Sequence, residues 1–292
     1  MHYDDGAFYR PLFENDMIQL QVAKGCSYNA CKFCDMYHQK YTVSPKEEIL
    51  EDILEIRDSG YQVGRIFLTG GNAFSLPYET AVWVLETIRQ YIDGPVSIGC
   101  FARITDIKKK SDDEIRHLLE LGVDDISIGT ESGMDEALEH MNKGFLAADI
   151  VEQCKRLDDI GMSYNLFYLI GMAGKGKCKE AAKKTAEIFS KTNPKRIMIH
   201  TMTPFRGTRL WEEIEQGKFQ PADEKEILAE LRDFISAADM HTFILGAHYG
   251  NMVRVNGYIP ENRELFVKKL DEAILCLDEK QLKSFRSQMR SI

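Results

Sequence analysis

The sequence predicts an α/β fold, a partial (β/α)6 barrel of the TIM type followed by a C-terminal extension of helices and strands. Strand patterns alternate about six times with helix patterns of roughly ten to sixteen residues. Each predicted strand is apolar on both faces, which is typical of a parallel sheet covered by helices. The 292 residues, of which 44% are hydrophobic, are sufficient for one large core.

The predicted strands are short apolar runs bounded by turn residues. In chain order they are Ile18 to Ala23, RIFLTGG, PVSIGCFARI, DDISIGTESG, SYNLFYLIG and KRIMIHTMTPF. The predicted helices are amphipathic and begin with cap signals: Ser44 and Pro45 open the first, and Ser111 with Glu114 forms a capping box at the third. The second, fourth and fifth helices are TAVWVLETIRQYI, LAADIVEQCKRLDDIG and CKEAAKKTAEIFSKTN.

Two regions follow from this pattern. We predict a barrel core over residues 1–215, with residues 1–15 as its lead-in, and an extension over residues 216–292 that closes the barrel side. Within the extension, HTFILGAHYGN is predicted to be a further apolar strand, ending in His248, which contacts either substrate or solvent. The loops after the C-terminal ends of the strands carry glycine and polar residues, which is where barrel folds place their chemistry.

Composition limits the classes of function. A net charge of -9 disfavours nucleic acid and anionic lipid as partners. No apolar run is long enough to span a bilayer, and the N-terminus MHYDDGAFYR is acidic where a signal peptide would be basic. Three of the seven cysteines lie within nine residues, whereas Cys154 and Cys276 fall in predicted helices and are expected in the core. We therefore expect a cytoplasmic protein in a reducing compartment.

The three grouped cysteines, Cys26, Cys31 and Cys34, follow the first predicted strand with C-x4-C-x2-C spacing. Three thiolates in one short loop suit an iron–sulfur cluster or a soft transition metal. The alternatives are a structural zinc site and chance clustering of buried thiols. A structural zinc ion takes four ligands, so His38 or Asp35 would have to supply the fourth. Three protein ligands would leave one iron of a cluster open to a small molecule.

This loop, with Phe33 before its third cysteine, and the Gly70-Gly71 pair after the second strand resemble the radical S-adenosylmethionine (SAM) superfamily over residues 15–215. The stretch SIGTESGMDEALEHMNKG resembles the branch of that superfamily that contains the Elongator catalytic subunit, the methylthiotransferases and the oxygen-independent coproporphyrinogen oxidase. The departure is the first spacing, because the commonest pattern has three residues between the first two cysteines, not four.

The resemblance implies a [4Fe-4S] cluster on the three cysteines and SAM on the fourth iron. It further implies SAM contacts from eight residues: Phe33 on the adenine, Gly70, Gly71 and Asn72 near the methionyl amine, Lys143 or Arg103 on the carboxylate, Glu131 on the ribose or adenosyl part, and Asn165 on the ribose. An acidic residue is more usual at the position of Asn72. GMAGKGK lacks the spacing of a phosphate loop, so we predict no nucleoside triphosphate site there.

The implied reaction is reductive cleavage of SAM to a 5'-deoxyadenosyl radical that abstracts hydrogen from a substrate. The implied partners are a one-electron donor, such as flavodoxin or ferredoxin, and a small-molecule or peptide substrate. No auxiliary cysteine cluster, cobalamin-binding segment or basic RNA-binding module is evident in the sequence. An iron–sulfur electron-transfer or redox-sensing protein without turnover and a zinc-stabilised barrel stay open as alternatives.

Overall fold

A computed structural model describes residues 1–3, 9–37 and 39–289. The strands, in chain order, are β1 (Ile18–Gln21), β2 (Ala23–Lys24), β3 (Thr42–Val43), β4 (Arg65–Thr69), β5 (Ser97–Ala102), β6 (Val123–Glu131), β7 (Ser163–Ile170), β8 (Arg196–Thr201), β9 (Thr242–Leu245) and β10 (Asn256–Ile259). The α-helices are α1 (Lys46–Asp58), α2 (Tyr78–Tyr91), α3 (Ile104–Lys109), α4 (Asp112–Glu120), α5 (Asp135–His140), α6 (Ala147–Ile160), α7 (Cys178–Phe189), α8 (Arg209–Glu215), α9 (Glu224–Ala237), α10 (Arg263–Cys276) and α11 (Glu279–Ser287).

The main sheet has eight strands in the order β1-β4-β5-β6-β7-β8-β9-β10, and β2 and β3 form a separate two-stranded sheet. Strand β1 pairs in parallel with β4, β4 with β5, β5 with β6, β7 with β8 and β8 with β9, whereas β9 and β10 are antiparallel. This confirms the predicted α/β class. The chain divides into two compact units, one of Met1–Asn29, Met36–Gly129 and Arg156–Tyr164, the other of Ala30–Asp35, Thr130–Lys155 and Asn165–Ile292.

In the first unit, β1, β4, β5 and the start of β6 lie side by side, with Ile18 opposite Ile66 and Ile66 opposite Ile98. Ile66 and Ile98 are buried because these inner parallel strands are covered on both faces, whereas Ile18, in the edge strand β1, is half-buried. Helix α4 begins with the predicted capping box of Ser111 and Glu114. Short helix α3, directly after β5, was not predicted, and it places polar side chains beside the end of the strand.

The predicted cap of the first helix is wrong. Helix α1 begins at Lys46 with Pro45 as its N-cap, and no side chain accepts a hydrogen bond there. Ser44 instead lies one residue outside, where its backbone N–H donates to the carbonyl oxygen of Val22. Ser44 therefore extends the backbone pairing of β2 with β3 and does not cap α1.

In the second unit, β7, β8 and β9 are parallel and β10 is antiparallel to β9. The predicted apolar strand of the extension is confirmed as β9. Helix α9 packs against α7 and α10, and Tyr168 packs between Phe189 and Phe234, with ring centroids 6.1 and 4.8 Å away. Large aromatic groups of this kind account for much of the apolar area that a core buries.

Within the part of the chain that the structure describes, no helix is long and apolar enough to cross a membrane.

Candidate functional site

The cysteine loop connects β2 to β3. All seven cysteines are thiols, and Cys26, Cys31 and Cys34 are half-buried. Cys100 differs because it is buried in β5, and burial raises the pKa of its thiol to about 12. Thiolate is the form that binds iron, and three half-buried thiols in one loop can supply it. The donor set of the loop therefore suits the implied cluster.

Two of the remaining cysteines test the expectation of a core role. Cys154 is buried, as predicted, but Cys276 is exposed at the end of α10, so the prediction for it is wrong. Cys276 does lie in a helix, as predicted, but its neighbour Leu275 is also 81% exposed. This end of the helix is not covered.

A ready-made site for a single ion is a separate question. Across residues 1–3, 9–37 and 39–289, no three side chains of His, Cys, Asp and Glu are grouped so that they could hold one metal ion. His38, considered as a fourth ligand, lies outside the described residues, and Asp35 lies within them, half-buried. The zinc alternative therefore gains no support from a preformed group.

In the second unit, residues 30–35 are held by the segment that follows α5. The Lys32 backbone N–H donates to the carbonyl oxygen of Met141 at 3.1 Å, and the Asn142 side-chain amide donates to the carbonyl oxygen of Ala30 at 2.9 Å. The Lys32 ammonium group also pairs with Glu213 at 2.6 Å. These contacts fix the backbone on both sides of Cys31.

In the first unit, the Gly70-Gly71 pair is closely packed. Gly70 has φ +122°, a conformation that favours glycine, and a Cβ there would come 2.8 Å from the carbonyl oxygen of Ala23. A Cβ on Gly71 would lie 2.7 Å from the Cβ of Cys26, and the Gly71 N–H donates to the carbonyl oxygen of Gly25 at 2.8 Å. The glycine pair therefore lets the backbone of the cysteine loop approach β4.

Asn72 follows the glycine pair and is 1% exposed. Its Nδ2 donates to Ser27 Oγ at 3.2 Å and, in a short hydrogen bond, to the Asp106 carboxylate. Among the described residues, Asn72 Oδ1 and Thr69 Oγ1 are buried without a hydrogen-bond partner. An unpaired buried polar atom costs about 1–3 kcal/mol, so these two atoms are candidates to contact a ligand.

Arg103 follows β5 in the same unit and is 8% exposed. Its guanidinium carbon lies 3.5 Å from the ring centroid of Tyr28, and its Nη1 donates to Thr105 Oγ1 at 2.9 Å. Arg103 is therefore a buried cation and not a solvated surface charge. The planar guanidinium has the geometry that matches a carboxylate.

The second unit brings together Phe33, Glu131 and Lys143. Lys143, 3% exposed, pairs with Glu131 Oε1 at 3.3 Å, and its ammonium group lies 5.6 Å from the ring centroids of both Phe33 and Phe145. Glu131 has φ +67°, a strained conformation for a glutamate at the C-terminal end of β6. Lys143 is therefore a buried cation and not a solvated surface charge.

Asn165 is apart from these residues. It is the third residue of β7, where Arg196 Nη1 donates to its Oδ1 at 3.2 Å, whereas the loop at the C-terminal end of this strand begins after Ile170. Five residues of strand span about 16 Å. The ribose contact of Asn165 stays a prediction, and this position at the start of the strand does not favour it.

A small cavity of about 30 Å³ in the second unit was not predicted. It is lined by Phe33, Leu169, His200, Thr201, Met202, Thr203, Phe205, His248 and Met289. The rings of His200 and His248 stack with centroids 4.1 Å apart. Burial lowers the pKa of His248 to about 4 and that of His200 to about 3, with the neighbouring imidazole contributing to the latter. Both rings are neutral at pH 7.

The tautomer of His248 follows from its contacts. The Gly250 N–H donates to His248 Nδ1 at 3.2 Å, so the proton of the neutral ring lies on Nε2. His200 occupies the penultimate position of β8, where the sequence shows only a polar residue in an apolar run. Position at the C-terminal end of a strand was the one available signal for it.

Backbone N–H groups of the GMAGKGK loop donate to other groups of the protein. Those of Gly174 and Lys177 donate to carbonyl oxygens within the loop, and those of Lys175 and Gly176 donate to Gln220 and Glu226. A phosphate cradle needs such groups to point at the ligand. This agrees with the prediction that no nucleoside triphosphate binds there.

Comparison with protein families gives one match that covers more than half of the chain. The family model described as the radical SAM superfamily matches residues 20–189. An uncharacterized protein of Methanocaldococcus jannaschii is 23% identical over 240 residues, which cover 78% of this chain and 73% of that protein.

Two further comparisons are with a relative that matches in part and with a solved structure. The tRNA uridine(34) acetyltransferase of Methanocaldococcus infernus is 28% identical over 120 residues, 40% of this chain, and this chain spans only 22% of that enzyme. The solved structure of M. infernus Elp3 with an N-terminal deletion has a TM-score of 0.53 at 18% identity, covering 88% of this chain and 63% of that one. This structural similarity concerns the fold alone, and it confirms the predicted partial barrel.

Proposed function

The chain belongs to the radical SAM superfamily, and from this premise we propose that it cleaves SAM reductively and abstracts hydrogen from a small-molecule or peptide substrate. It is an enzyme, and its cofactors are a [4Fe-4S] cluster and SAM. The observation that carries the proposal is the half-buried C-x4-C-x2-C loop between β2 and β3, in which Cys26 lies so near Gly71 that a Cβ on Gly71 would come 2.7 Å from the Cys26 Cβ.

We propose Cys26, Cys31 and Cys34 as the cluster ligands. Their support is the donor set: three thiols of intermediate exposure in one loop, while the chain's other cysteines are either buried or lie at the end of α10. When bound, the cluster and SAM supply a 5'-deoxyadenosyl radical after one-electron reduction.

We propose that the loop after β4, residues Gly70 to Asn72, receives the methionyl amine of SAM. The support is the pair of unpartnered acceptors, Thr69 Oγ1 and Asn72 Oδ1. An ammonium group has three donors and no acceptor, so it suits a corner that offers oxygen atoms alone.

The methionyl carboxylate has two candidate partners. Lys143 already pairs with Glu131 at 3.3 Å, at the long end for an ion pair, whereas Arg103 is stacked on Tyr28 and is fixed in direction. We propose Arg103 for the carboxylate, and Lys143 with Phe33 and Glu131 for the adenosyl part. A planar guanidinium matches a carboxylate with two parallel hydrogen bonds.

The chain's own contribution to the reaction is positioning and exclusion of water, because no acid or base is needed for the hydrogen abstraction itself. Electrons come from a one-electron donor such as flavodoxin or ferredoxin. We further propose the cavity beside Phe33, with neutral His200 and His248, as the place where a polar group of the substrate binds. Few convergent polar groups in an apolar cavity are typical of such sites.

We propose that residues 1–215 carry the catalytic core and that residues 216–292 form an extension that closes its side. In support, β9 continues the sheet beyond β8 and α9 covers α7. The acetyltransferase activity named for the M. infernus relative is not part of this proposal, because the match spans 22% of that enzyme.

The test is anaerobic incubation of the reconstituted protein with SAM and dithionite, followed by chromatography for 5'-deoxyadenosine and methionine, with iron and zinc measured on the same sample. We expect about four irons per chain and formation of both products. A protein that binds four irons but does not cleave SAM would favour the electron-transfer alternative, and zinc without cleavage would favour the structural one.

A further inference from the structure

The corner at the end of β4 contains more than the glycine pair. Thr69 and Asn72 are 3% and 1% exposed, and each has a buried oxygen without a partner among the described residues. Native proteins pair most of their buried polar atoms, and two exceptions three residues apart indicate a site that a donor ligand completes.

The side chain of Asn72 is held in one orientation. An amide NH2 group has two hydrogens, and both are used, one on Ser27 Oγ and the other on Asp106 Oδ2. A carboxylate cannot donate, so the amide nitrogen faces Asp106 and Oδ1 faces away from it. Asp106 thus determines which atom of Asn72 is left to contact a ligand.

Asp106 also brings charge. It is 3% exposed, and its other oxygen accepts from Lys109 Nζ at 3.0 Å, on a side chain that is itself 74% exposed. The half-buried Lys110 also interacts electrostatically with Asp106. A buried carboxylate whose ion-pair partner is mostly solvated favours cations nearby. The hydrogen bond to Asp106 also polarises the amide and strengthens Oδ1 as an acceptor.

Among the groups of SAM, only the α-ammonium is both a cation and a hydrogen-bond donor without acceptor capacity. We propose that Asp106, in α3, is a positioning residue for SAM: it orients Asn72 Oδ1 toward the ammonium group and supplies the negative charge that Asn72 lacks. This inference rests on the proposed function.

The experiment measures binding without turnover. Dissociation constants of SAM and of its analogue without the α-amino group are measured by equilibrium dialysis on the reconstituted holoenzyme, without reductant. The variants are Asp106→Asn, which keeps shape and hydrogen bonding but removes the charge, and the double variant Asn72→Asp/Asp106→Asn, which moves the charge to position 72. Asp124→Asn is the control, since Asp124 pairs with Arg65 in the same unit.

We expect Asp106→Asn to weaken SAM binding about tenfold, to leave the deaminated analogue unaffected, and to be rescued by the double variant. Asp124→Asn should bind both ligands as the wild type does. The inference would be overturned if Asp106→Asn, with unchanged iron content and circular dichroism, weakened binding of both ligands equally or did not weaken binding of SAM. The proposed function would still stand in that case if the wild type cleaves SAM. A wild-type holoenzyme that binds no SAM would overturn both.

Discussion

Glu230 gives the prediction with the clearest magnitude. This α9 residue is 1% exposed, and its carboxylate accepts from the Tyr168 hydroxyl at 2.8 Å and from the Gly171 N–H at 2.9 Å. Burial raises its pKa from the ordinary 4.5 to about 7, against the hydrogen bonds from Cys178, Tyr168 and Gly171, which lower it. The folded protein therefore holds this proton over a pH range in which the unfolded chain has lost it.

The sign and size follow from proton linkage. Between pH 4.5 and 7 the native state binds more protons at Glu230 than the unfolded state, so the free energy of unfolding falls as pH rises. At about 1.36 kcal/mol per pH unit, the whole interval is worth about 3 kcal/mol, present in full below pH 4.5 and lost above pH 7. The substitution Glu230→Gln keeps the size of the side chain and removes the titration.

The assay is urea unfolding of wild type and Glu230→Gln from pH 5 to pH 8, followed by far-ultraviolet circular dichroism. We expect the difference between variant and wild type to move by about 3 kcal/mol in favour of the variant across this range. Other titrating groups cancel in that difference. Tyr168→Phe is the control: it keeps the carboxyl but removes a donor that favours its charged form, so the pH-dependent loss persists and moves to higher pH.

A difference between Glu230→Gln and wild type that stays constant with pH would refute the reasoning, because it would mean that the carboxyl ionises alike in both states. A loss that disappears in Tyr168→Phe would also contradict it, since the carboxyl is retained there.

Three other predictions concern the cysteine loop and the histidine pair. Cys31→Ala should lose iron and SAM cleavage, whereas Cys276→Ala, at the exposed end of α10, should keep both, as measured by iron analysis and by the cleavage assay. Retention of full iron by Cys31→Ala would contradict the ligand assignment. Gly71→Ala should lower cluster occupancy several-fold, measured by absorbance, because its Cβ would come 2.7 Å from that of Cys26; unchanged occupancy would show that the loop adjusts freely. Since the pKa of His248 is lowered from 6.5 to about 4, its contribution to stability should fall by about 2 kcal/mol, after allowance for solvent screening, as pH drops from 6.5 through 4. His200, whose pKa is lowered to about 3, adds to the same slope; His248→Gln should therefore reduce the slope in urea unfolding without abolishing it, and an unchanged slope would place the titration elsewhere.

The elements that were predicted correctly are those whose formation depends on residues close together in the chain. Alternating apolar runs and helix periodicity identified the main strands, and the capping box at Ser111 was confirmed because both partners lie within one turn. The predicted N-cap at Ser44 was wrong because the Ser44 backbone N–H pairs with the carbonyl oxygen of Val22, which is distant in sequence. Short helices such as α3 carry too few residues for a periodic signal.

The candidate site was likewise predictable only in part. Cysteine spacing and glycine pairs are visible in sequence, but the burial of Lys143 and Arg103 is not, since a lysine or arginine in a polar segment is usually solvated. Asp106 and His200 could not be singled out either. Their importance comes from partners on other loops, Asn72 and His248, and a single sequence does not state which side chains meet.

The packing of α9 on α7 has a consequence for protein engineering. Tyr168 and Phe189, from the predicted core, share one aromatic cluster with Phe234 from the extension, and Glu230 holds the Gly171 loop from the same helix. A chimera that replaced residues 216–292 with the tail of another family member would uncover these rings and release that loop. Transplanting the tail would therefore require redesign of the α7 face, and shortening the chain at residue 215 would cost cooperativity as well as surface cover.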